Sequence, residues 1–66
     1  MDAATRNMVS STYDETVSEA MSQGQPPDVA HREGITAAAM FLSSLTGVED
    51  AQARAEVEQL GLEPQE

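Results

Sequence analysis

The chain contains no cysteine, no lysine and no tryptophan, and its 66 residues include one tyrosine, one phenylalanine and one histidine. Without cysteine, neither a disulfide nor a thiolate metal site is there to stabilise so short a chain, and thiols give no reading of its redox compartment. Cations are almost as scarce. Three arginines, Arg6, Arg32 and Arg54, stand against twelve acidic residues, for a net charge of −9. With so little to neutralise phosphates, the balance argues against direct binding of nucleic acid or of an anionic membrane, and the expected partner is a protein with a basic surface.

Long apolar runs are missing too. The longest, Ala37 to Leu42, falls far short of the roughly 20 residues a membrane-spanning helix needs. The start Met1-Asp2-Ala3-Ala4-Thr5-Arg6 has neither the charged nor the apolar region of a signal peptide, so a cytoplasmic protein is expected. There is no glycine-rich phosphate loop and no thiol nucleophile, and so short a chain encloses no substrate pocket. A protein that binds rather than catalyses is expected, with no cofactor.

What is present reads as helix. Ten alanines and few β-branched residues favour helix over strand throughout. A chain of this size buries only about 60% of the surface its unfolded form exposes, so its stability is marginal and self-association is a natural remedy. The expected fold class is all-α: one helical domain over 1–66, either a small three-helix bundle or a helical hairpin with a short third helix, completed by homodimerisation. The helices are placed at about 3–23, 28–46 and 49–60, with a flexible tail at 63–66.

Val9, Tyr13, Val17, Ala20 and Met21 recur three and four apart and form the buried stripe of the first helix. Its start is ambiguous, because Ser11 with Asp14 and Thr12 with Glu15 also read as capping boxes. Gly24 is placed as a left-handed cap, and Pro26-Pro27 forbids continuation. Asp28 opens the second helix as N-cap or first-turn acid. At 100° per residue, Ala30, His31, Gly34, Ile35, Ala37, Ala38, Ala39, Phe41, Leu42 and Leu45 of this helix spread over an arc roughly 200° wide. So wide an arc is buried on two sides. The helix is therefore central, packed by the first helix on one flank and by the third helix or a second copy on the other, with Gly34 and Ala38 permitting close approach. Ile35, Ala38, Phe41, Leu42 and Leu45 are the expected self-association residues. The third helix opens at a Thr46–Glu49 capping box or with Glu49-Asp50 in its first turn, and its stripe is only Ala53, Val57 and Leu60. Gly61 in a left-handed cap, Leu62 against Val57 and Pro64 beyond mark its end.

Each arginine follows an aspartate by four residues near a helix start: Asp2 and Arg6, Asp28 and Arg32, Asp50 and Arg54. Such pairs stabilise helices by about 0.2 to 0.5 kcal/mol each, and they leave no arginine as a free anion hook. His31 lies inside the apolar arc while Glu33 points well away from it, so a core or interface histidine is expected rather than a metal ligand. The run Ser10-Ser11-Thr12-Tyr13-Asp14 reads as capping and a solvated face rather than a phosphorylation site.

Asp14, Glu15, Glu19, Glu49, Asp50, Glu56 and Glu58 are the candidate contact residues for the basic partner. They invite comparison with the phosphate array of DNA, which carries about one charge per 1.7 Å. The four acids between Glu49 and Glu58 spread over roughly 13 Å of helix, a lower density than DNA. Met8 and Met40 fall outside the apolar stripes, as adaptable contact residues or incidental surface ones. The expected function is a small accessory or inhibitory binding protein that occludes a basic surface. The alternative is a structural or non-catalytic subunit contributing helices to a larger assembly.

Overall fold

The structure is a computed structural model, and it describes residues 1–64. These form three α-helices and no strand: α1 Ala3–Ser22, α2 Pro27–Thr46 and α3 Asp50–Glu58. Gln65 and Glu66, half of the tail expected to be flexible, lie outside the described residues.

The start of α1 is settled by Asp2, whose Oδ1 accepts the Thr5 amide at 2.8 Å. This bond satisfies one of the donors that a helix N-terminus leaves free. The hydrogen bonds to Thr5 hold the Asp2 carboxyl below its usual value of 3.8. The internal capping boxes are not used, and Thr12 Oγ1 instead donates back to the Met8 carbonyl at 3.0 Å. At the other end Gly24 takes φ +92°. Its N–H bonds the Met21 carbonyl at 3.0 Å, and the Gln25 N–H bonds that of Ala20 at 3.0 Å. This pair of bonds is the Schellman arrangement.

Helix α2 begins one residue earlier than expected. Pro27 occupies the first turn, where its missing N–H costs nothing, and Asp28 is a first-turn acid rather than the cap. Gly47 closes it at φ +81°. Helix α3 starts with Glu49 as a cap residue that makes no side-chain cap bond, and Asp50 in the first turn. Thr46 forms no capping box, because its Oγ1 donates to the Leu42 carbonyl of its own helix at 2.9 Å. The α-helix stops at Glu58, two residues early, because the chain tightens into i→i−3 bonds from Leu60 to Val57 and from Gly61 to Glu58. Gly61 has the expected left-handed φ of +69°.

The four-residue link between α1 and α2 folds them into an antiparallel hairpin. Helix α3 docks on the other flank of α2, which is therefore the central element. The core joins Val9, Tyr13, Val17 and Ala20 of α1, Ala30, Ile35, Ala38, Ala39 and Leu42 of α2, and Ala53 and Val57 of α3. Met21, Phe41, Val48, Leu60 and Leu62 pack around it, partly buried. Gly34 packs directly against α1. A β-carbon there would lie 2.7 Å from both Tyr13 Cδ2 and Val17 Cγ2. Two polar ties help hold α3 and its link on α2: Arg54 Nη2 donates to Thr36 Oγ1 at 2.7 Å, and Ser43 Oγ donates to the Val48 carbonyl at 2.7 Å.

Candidate functional site

The side chains with chemistry in them do not converge on one point. The nearest approach to a built polar site is Tyr13 with His31. Both lie on core-facing stripes, and the hairpin brings them together across 18 residues of sequence: Tyr13 Oη and His31 Nδ1 are 2.6 Å apart, with the rings edge to face. Tyr13 is fully buried, so its hydroxyl needs a partner, and His31 supplies it. Half-buried His31 also lines an open groove of about 750 Å³, between the start of α2 and the Gly61–Pro64 segment. The charged lining of that groove carries both signs, Asp28 and Glu63 with Arg32, and so selects no ligand charge. Among the described residues no cluster of three His, Asp or Glu could hold a metal ion.

Burial pushes the Tyr13 phenol above its ordinary value of 10, and the charges of Asp14 and Glu63 add to the shift. Because the folded value lies above the unfolded one, the contribution of the neutral phenol to stability is whole below pH 10 and declines as pH rises through the folded value. Tyr13 is the sole tyrosine and there is no tryptophan, so its ionisation is read without interference from the ultraviolet absorbance near 295 nm. We expect a midpoint above 10, and loss of this part of the alkaline destabilisation in Tyr13→Phe. A midpoint at the ordinary value would contradict the burial.

The seven expected contact acids all reach solvent: Asp14, Glu15, Glu19, Glu49, Asp50 and Glu58 are exposed and Glu56 is half-buried. They do not share a face. Glu56 and Glu58 are two steps apart on α3 and thus roughly 160° apart around it, and Asp14 and Glu19 are separated by roughly 140° on α1. The acidity is spread over the outside of the hairpin and α3 instead of forming a single array. Members of two of the expected aspartate–arginine pairs find other partners instead: the Asp2 carboxylate caps α1 and the Arg54 guanidinium reaches across to Thr36.

The expected self-association residues fare differently. Ile35, Ala38 and Leu42 are 3%, 0% and 1% exposed within the single chain. Helix α1 covers one side of the arc, and α3 takes the flank where either the third helix or a second copy is expected. Phe41 is partly buried, and only Leu45, 48% exposed, faces solvent. The exposed large apolar side chains are Met1, Met8, Met40 and Leu45, of which Met40 is the most open at 63%.

No family model, no curated protein and no solved structure matches the chain. No helix among the described residues is long and apolar enough to cross a membrane.

Proposed function

We propose that the protein is a small acidic binding module, accessory or inhibitory, that occludes a basic surface of a larger protein or complex. A nucleic-acid-binding site is one surface with the required charge. The observation that carries this reading is a net charge of −9 whose seven candidate acids reach solvent around a core already closed within one chain. A structural subunit would need an apolar face left open for its neighbours, and the widest such face, the α2 arc, is covered by α1 and α3. Pairing of two copies through that arc is disfavoured for the same reason, and like charge opposes it further.

The reading is tested on the partner, identified by cross-linking in the native cell and then purified. Affinity is expected to fall steeply between low and high salt, and to drop several-fold in a Glu56→Gln, Glu58→Gln double variant whose melting temperature is unchanged. An affinity indifferent to salt and to both substitutions would overturn it.

A further inference from the structure

The three helices do not hold one another equally. Nine of the eleven buried core residues lie on α1 and α2. These two 20-residue helices interlock where Gly34 meets Tyr13 and Val17, and they are tied by the bond between Tyr13 Oη and His31 Nδ1. Helix α3 has nine residues, begins without a side-chain cap bond, and buries only Ala53 and Val57 fully. Isolated helices shorter than roughly 12–15 residues are marginal in water, so α3 is held by its docking. That docking is chiefly on α2. Thr36, Ala39 and Ser43 of α2 follow one another at three- and four-residue steps and form one stripe. Thr36 receives Arg54, Ser43 reaches the Val48 carbonyl, and Ala39 between them is 6% exposed.

The link supplies a pivot. Gly47 stands at φ +81° in open space, where an added β-carbon would meet nothing within 4 Å. Beyond α3, residues 61–64 form one wall of the groove beside His31, with Leu62 partly buried against the core. From this asymmetry we infer that residues 48–64 are a hinged cover, which swings away from α2 as one unit about Gly47 while the α1–α2 hairpin stays folded. Opening breaks the Arg54–Thr36 and Ser43–Val48 hydrogen bonds, uncovers the stripe of Thr36, Ala39 and Ser43, and removes one wall of the groove. The cover thereby decides when that flank of α2 is accessible to another molecule.

Amide hydrogen exchange of the full chain, resolved by residue and repeated in low concentrations of urea, tests this. The Val57 amide is expected to be at least about tenfold less protected than the amides of Tyr13 and Ala38. Its protection should also fall less steeply with urea, because opening one short helix exposes less surface than unfolding the chain. Two variants separate a hinged cover from a uniformly cooperative fold. Val17→Ala thins the α1–α2 contact, which is the same whether the cover is open or closed. It should lower the protection of Tyr13 and Ala38 several-fold and leave that of Val57 unchanged. Arg54→Gln weakens a tie that exists only in the closed state, and should lower the protection of all three amides by one common factor.

Equal protection and equal urea dependence at the three amides would overturn the cover. So would a loss of protection at Val57 in Val17→Ala that matches the loss at Tyr13, because α3 would then open only with the whole chain.

Discussion

Leu42→Asp is expected to unfold the chain outright, with loss of the helical far-ultraviolet dichroism at room temperature. Leu42 is 1% exposed and belongs to the core that joins α1, α2 and α3. Truncating such a side chain already costs about 2–5 kcal/mol, and the aspartate adds the penalty of a carboxylate with no buried partner. A domain of this size has a total stability of only about 3–5 kcal/mol, so the balance passes through zero. Leu42→Met, which keeps the volume, should cost less than about 1.5 kcal/mol and remain folded. The comparison also separates two views of α2. Had Leu42 formed a contact between two copies of a folded chain, its aspartate variant would be a folded monomer; a folded Leu42→Asp protein would show that the packing described above is wrong.

Gly34→Ala should likewise destabilise, against the usual trend for a glycine inside a helix. Alanine in place of glycine favours helix by about 1 kcal/mol. Here the added methyl would meet Tyr13 Cδ2 and Val17 Cγ2 at 2.7 Å and Tyr13 Cε2 at 2.8 Å. Overpacking of that kind costs about 1–3 kcal/mol. Tyr13 cannot swing aside cheaply, because its hydroxyl is held by His31 and its ring is fully buried. The net expectation is a loss of up to about 2 kcal/mol, and a melting temperature lower by about 4–8 °C for each kcal/mol lost. Thermal denaturation measures it. In a double-mutant cycle Val17→Ala should cost less beside Gly34→Ala than alone, since it vacates part of the space the methyl needs. A melting temperature raised by Gly34→Ala would mean that the hairpin opens at no cost, and that the close approach is not what sets the distance between α1 and α2.

Both substitutions were legible as important from the sequence, though one neighbour of α2 was left open. Small Gly34 within the wide arc marked a close helix contact, and Leu42 sat in the same arc. Spacing alone could not say whether a second copy or α3 covered the far flank. Of the short α3 stripe, Ala53 and Val57 are fully buried and Leu60 is partly buried. The candidate acids were legible as exposed, since charged residues off an apolar stripe stay in water. Their scatter around the surface follows from the helical period and was open to the same count that located the stripes.

The sequence by itself determined the three helices and their limits to within a residue or two: the proline pair that opens α2, the glycines at 24 and 61 that follow α1 and α3 at positive φ, and the stripes of Val9, Tyr13 and Val17 or Ile35 and Leu42 that had to be buried. These depend on local backbone sterics and on a fixed period of 3.6 residues, both of which are properties of a few consecutive residues. Only the tertiary structure decided the partners. It joined Tyr13 to His31 and Arg54 to Thr36, gave the Asp2 carboxylate to a cap rather than to Arg6, and turned the supposed interface residues Ile35, Ala38 and Leu42 into a core. Pairing across a turn is set by which faces fit when whole helices meet, and no pattern within one helix carries that information.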